Sequence, residues 1–165
     1  MKNNLFKGII AYPITPFDQN EKVDIALYKK LLERLIVSGC HAVAPLGSTG
    51  VMPYLNDEEK LAITKATVEQ VDGRVPILVG VSNLTTERTI YHAKEAEKAG
   101  ADAVMIIPMS YWKLSDDEIV KHYDAVAKEI SILISWTFGL IVLMSMQRNL
   151  VQFLLKTTQY CFLNN

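Results

Sequence analysis

Ser38-Gly39-Cys40-His41-Ala42-Val43-Ala44-Pro45-Leu46-Gly47-Ser48-Thr49-Gly50 compresses one whole structural transition into thirteen residues. Gly39 ends a helical pattern, Ala42-Val43-Ala44 is an apolar run suited to a buried strand, and Gly47-Ser48-Thr49-Gly50 is a loop at the strand's C-terminal end. The two glycines are expected to let the backbone turn tightly and approach a ligand, and Ser48 and Thr49 add two hydroxyls. Backbone N–H groups beside hydroxyls suit a small anion such as a carboxylate or phosphate. A Gly-x-x-Gly stretch can equally be a plain tight turn, and its place directly after a buried strand favours the site.

Outward from this stretch the pattern repeats. Before it, the apolar run at 8–12 ends at Pro13 and Pro16, and Asp24 caps a helix whose apolar positions Ile25, Tyr28, Leu31, Leu32, Leu35 and Ile36 recur at helical spacing. After it, Asn56 and Glu59 form a capping box for a helix running to about Val71, stopped by Asp72-Gly73. Ile77-Leu78-Val79 is the third strand, followed by a helix capped by Thr85 or Thr86 and closed by Gly100. The fourth strand is at 103–107, and Ser115 with Glu118 opens a helix to about Glu129. Ser38-Gly39-Cys40-His41-Ala42-Val43 and Ala99-Gly100-Ala101-Asp102-Ala103-Val104 place Gly and Ala at matching offsets, as repeated β/α units require.

Continuous apolar strands covered by amphipathic helices imply a parallel sheet, either a barrel or an open doubly wound sheet. Loops after the first, second and fourth strands all carry special residues, which favours a barrel. An arc of such strands is expected to leave unpaired edges and an inner face open to water.

Composition narrows the function. The chain has 165 residues, half of them hydrophobic, enough for one ordinary core. A net charge of −1 leaves no electrostatic footprint for nucleic acid. Two cysteines, Cys40 and Cys161, and no leader-like N-terminus point to a reducing cytoplasm. His92 and His122 fall on helices of the outer ring and are expected at the surface or its boundary; His41 sits at a helix-to-strand turn, and three isolated histidines make no metal cluster. The acidic run Asp57-Glu58-Glu59 is expected to complement the helix dipole, and Tyr12 to belong to the core.

The 8–17 segment with its Thr15-Pro16-Phe17 ending, then Ser38-Gly39, the Gly47-Ser48-Thr49-Gly50 loop and Asp72-Gly73-Arg74-Val75-Pro76 together resemble the dihydrodipicolinate synthase / N-acetylneuraminate lyase family. The resemblance covers residues 5–130 and implies an α/β fold, the N-terminal half of a (β/α)8 TIM barrel. Members of that family bind pyruvate or a related 2-oxo acid as a Schiff base on a lysine, with no cofactor or metal, and the full-length family is expected to form homo-oligomers. By resemblance Thr49, its N–H and the neighbouring Gly47 and Gly50 hold the 2-oxo acid's carboxylate. Ser48 supplies a hydroxyl to a proton relay, and Tyr111 stands for the family's loop tyrosine, shifted by one place. Where the family has Glu directly after the Gly-x-x-Gly loop this chain has Val51, which leaves the subclass and second substrate open.

A full barrel takes about 250 residues. The family's Tyr-Asn-x-Pro motif and its strand-borne lysine are absent from this chain, so four units over residues 1–130 and a divergent apolar tail over 131–165 are expected, with lyase turnover lost. In 131–165 the only charged residues are Arg148 and Lys156. That tail reads either as an out-of-frame or alternatively spliced ending, or as a membrane segment at 130–147. The first reading is preferred, because 18 uncharged residues diluted by Ser131, Ser135, Thr137, Gly139 and Ser145 barely suffice for a span. The alternatives to a lyase are a non-catalytic fragment or binding partner of a full-length relative, and a protein tethered to a membrane through the tail.

Overall fold

A computed structural model describes residues 6–135. Five short strands alternate with four helices: β1 (Ile10–Ala11), α1 (Ile25–Val37), β2 (Ala42–Val43), α2 (Asp57–Val71), β3 (Leu78–Gly80), α3 (Thr86–Ala99), β4 (Ala103–Met105), α4 (Asp116–Ala127) and β5 (Leu133–Ser135). The helix starts follow from cap chemistry. Asp24 Oδ1 accepts from Leu27 N–H at 2.8 Å, and Thr85 Oγ1 from Arg88 N–H at 3.2 Å. Asn56 with Glu59, and Ser115 with Glu118, make the two reciprocal capping boxes. Helix α3 ends on Gly100 at φ 104°, a left-handed position that suits glycine.

All strand pairings are parallel: Ile10 opposite Ala42, Leu78 opposite Ala103 and Ala103 opposite Leu133. A further parallel bridge, Val43 opposite Ile77, joins β2 to β3, with Val43 N–H donating to Pro76 O and Gly80 N–H to Pro45 O, both at 3.0 Å. The spatial order is therefore β1-β2-β3-β4-β5, each strand beside its neighbour in sequence. A doubly wound sheet reverses its strand order at a switch point; a barrel never does. The fold is an arc of a (β/α)8 barrel.

Alternation along the strands divides the core into two layers. Val43, Val79 and Val104 pack outward with Leu32, Ile63, Ala93 and Val126 from the helices, while Ala44, Leu78, Ala103 and Met105 pack together on the other side against Phe6, Ile10 and Tyr12. Both faces of β2, β3 and β4 are buried, so these strands read as continuous apolar runs. The expectation of an inner face open to water fails at these four residues, which are at most 2% exposed. Close packing of small and slender side chains under Tyr12 and Phe6 closes the layer.

Two further expectations change. Strand β5 lies beyond Ser131, inside the stretch whose loss of charge reads as a divergent tail; Leu133 is exposed, and Ile134 and Ser135 are half-buried. His92 is not at the surface: it is 5% exposed, drawn between α2 and α3, where Nε2 lies 2.8 Å from Asp57 Oδ1. The dipole-complementing Asp57 thus also pairs across helices, with His92 and with Arg88. The candidate span at 130–147 lies largely outside the described residues, among which no helix is long and apolar enough to cross a membrane.

Candidate functional site

Because the strands run parallel, the loops after β2, β3 and β4 emerge at one end of the arc. The loop after β2 is held on every side. Gly50 N–H donates to Gly47 O and Val51 N–H to Ser48 O, both at 3.1 Å, so two overlapping turns close it. Left-handed backbone occurs at Leu46 (φ 58°) and Val51 (φ 48°), whereas Gly47 and Gly50 keep negative φ. Sequence reasoning gives the turning to the glycines; the structure gives it to their neighbours. The glycines instead supply room: a Cβ at Gly47 would lie 3.0 Å from the Tyr12 ring, and one at Gly50 3.2 Å from Leu46 N and 3.3 Å from Pro13 O. A β-branched residue at positive φ persists only where its surroundings over-determine it, and such strain concentrates at functional sites.

Two residues that sequence reasoning passed over do much of this. Gly80, the last residue of β3, lies so close that a Cβ there would fall 2.0 Å from the Leu46 carbonyl oxygen. Thr15, buried in the loop after β1, donates its hydroxyl to Gly50 O at 2.7 Å. The signals were present, a Gly closing an apolar strand and a Thr ahead of Pro16, but only the tertiary arrangement shows what they touch. Tyr12 is half-buried in the inner layer, with its ring against Gly47.

Within this frame Gly47 and Gly50 are buried and the Ser48 and Thr49 side chains are exposed. The Gly50 N–H is consumed by its own turn. Among the described residues the N–H groups of Gly47, Ser48 and Thr49 and both hydroxyls meet no partner, so the turn carries a set of unsatisfied donors. Nearby, Ser82 at the end of β3 accepts from Ile107 N–H at 2.7 Å, tying the β3 loop to the β4 loop. Tyr111 and Trp112 follow β4 with their rings edge to face, centroids 5.0 Å apart, and are 87% and 77% exposed. Tyr111 therefore shares the end of the barrel with Ser48 but makes no hydrogen bond to it among the described residues.

Burial perturbs several titratable groups on the helices. His92 is held neutral, its pKa pushed down to about 4 by burial and then by Lys60 and Arg88, so the ring donates Nε2–H to Asp57. Burial pushes Tyr28 up to about 12, its hydroxyl bonded to Thr67 at 2.7 Å. Among the described residues no lysine lies on a strand; Lys113, in the β4 loop, is exposed.

An arc of parallel β/α units with strands in sequential order is the architecture of the (β/α)8 barrels. The family model for the dihydrodipicolinate synthetase family matches residues 5–136, and the chain belongs to that family. It is 37% identical over 128 residues to a 4-hydroxy-tetrahydrodipicolinate synthase of Bartonella quintana, covering 78% of this chain and 44% of that protein. The corresponding Bacillus subtilis protein is 37% identical over 127 residues. Among solved structures, YagE of E. coli K12, a prophage protein of the dihydrodipicolinic acid synthase family in complex with pyruvate, superposes with a TM-score of 0.76 at 32% identity, covering 79% of this chain and 44% of that one. The dihydrodipicolinate synthase of Agrobacterium tumefaciens gives 0.75 at 38% identity over 78% of this chain and 43% of that one. The chain thus spans less than half the length of the relatives it matches.

Proposed function

We propose that the chain forms the carboxylate-binding half of a pyruvate-dependent Schiff-base lyase, acting on a 2-oxo acid. The observation that carries this reading is the loop at 46–51, strained at both ends, clamped from β1 and β3, and presenting unpartnered donors at the strand ends. The pyruvate complex of the related YagE supports the choice of anion. The Thr49 hydroxyl and the N–H groups of Gly47, Ser48 and Thr49 donate to the carboxylate, while Gly50 keeps the turn closed. Preorganised donors of this kind need no rearrangement when the anion arrives. Ser48 passes a proton between the substrate oxygen and a tyrosine, the part assigned to Tyr111.

The Schiff base requires a lysine amine at the substrate's carbonyl carbon. Among the described residues every lysine stands on a helix or in a loop, and the proposed behaviour is binding of a 2-oxo acid without turnover. As a non-catalytic protein it keeps the anion site and a β1 that, among the described residues, pairs on one side only.

Equilibrium dialysis with labelled pyruvate tests the assignment of Thr49. Thr49→Val keeps the shape and removes a donor to a charged group, a loss of about 1.5–3 kcal/mol, or roughly 10- to 150-fold in affinity. Affinity unchanged in that variant would overturn the carboxylate role.

A further inference from the structure

We propose that Thr15 is the positioning residue that keeps the anion loop in its binding shape, an inference that rests on the reading of Gly47, Ser48 and Thr49 as the carboxylate site. Thr15 lies 35 residues before Gly50 and on a different β/α unit, yet its hydroxyl donates to the Gly50 carbonyl at 2.7 Å from a side chain that is 8% exposed. The donor is aimed before any contact forms. Pro16 restricts the backbone of the residue before it to extended conformations, and the branched Cβ of threonine leaves few rotamers. The same segment walls the loop, with Pro13 O 3.3 Å from where a Gly50 Cβ would stand.

The acceptor matters as much as the donor. Gly50 O belongs to the peptide that joins Gly50 to Val51, whose φ of 48° is unfavourable for a β-branched residue. Rotation of that peptide would relieve Val51 and point the carbonyl away. The same rotation would swing Val51 N–H off Ser48 O and so open the turn that spans Ser48, Thr49 and Gly50. The Thr15 hydroxyl opposes that rotation by holding the carbonyl oxygen in place. Thr15 touches no ligand; it acts through Gly50.

The test compares Thr15→Val, which keeps the branched shape, with Thr15→Ser, which keeps the hydroxyl, in the 165-residue chain. Two readouts are taken: labelled-pyruvate affinity by dialysis, and amide hydrogen exchange at Gly50 and Val51 with the β4 amides as reference. The expected result is about a tenfold loss of affinity in Thr15→Val, the scale of one lost hydrogen bond, with faster exchange at Gly50 and Val51 and unchanged exchange in β4. Thr15→Ser should stay within about twofold of the parent in both. Unchanged loop exchange in Thr15→Val overturns the proposal, and so does acceleration that extends equally to β4 or a Thr15→Ser variant that behaves like Thr15→Val. Should the parent chain fail to bind pyruvate, the carboxylate reading falls, while the exchange comparison still decides whether Thr15 holds the loop.

Discussion

Gly80 shows how much a single missing methyl can decide. Its Cα faces the Leu46 carbonyl so closely that a Cβ would sit 2.0 Å from the oxygen, and the obstacle is backbone, which cannot swing aside. Gly80→Ala is expected to lower stability by at least about 2 kcal/mol, as overpacking does, and to displace the loop that carries Ser48 and Thr49. Denaturant midpoints and pyruvate affinity measured together should both fall; a variant that keeps both would contradict the packing described. His92 gives a pH test with a definite sign. Its folded pKa of about 4 lies below an unfolded value near 6.5, so the neutral ring contributes stability above pH ~6.5 that is lost as pH falls toward 4, up to about 3 kcal/mol. His92→Gln cannot titrate. Its unfolding free energy should fall less than the parent's between pH 7 and pH 4; an identical fall in both would show that His92 is not the group responsible.

At the scale of elements, the helices were legible because their starts are written in local chemistry. Asn56 with Glu59 and Ser115 with Glu118 need only three residues of separation to make their bonds, and the structure contains both. Asn56→Ala should therefore cost about 1 kcal/mol, read as a lower thermal midpoint, whereas an unchanged midpoint would mean the cap bonds are idle. The strand order was legible too, since special residues followed several strands and a barrel collects such loops at one end. What escaped were features made between units. No local pattern marks Leu46 and Val51 as left-handed, because Thr15 and Gly80, from two other units, impose those angles. His92 was misplaced for the same reason: its partner Asp57 is 35 residues away on another helix. Strand β5 was hidden because a short strand of uncharged residues and a divergent apolar tail share one composition signal, the absence of charge.

For the whole molecule, the arc has consequences that no single element has. Among the described residues Ile10 and Ala11 have a strand partner on one side only, in β2. Large apolar side chains stand exposed around it, Ile9 at 67% and Ile14 at 52%, with Trp112 at the strand ends. Self-association is the expected outcome, seen in light scattering as species heavier than the 18.5 kDa of one chain; a sharp monomer that binds no apolar dye would contradict it. We propose that the loop after β2 holds a 2-oxo acid's carboxylate, while among the described residues no lysine lies on a strand. Titrating the 15N-labelled chain with pyruvate and following backbone amide resonances tests it most directly. The account predicts saturable shifts centred on Gly47, Ser48 and Thr49, weakened in Thr49→Val, and no lysine adduct after borohydride treatment. Shifts that bypass this loop, or a reducible pyruvate adduct on any lysine of the chain, would contradict it.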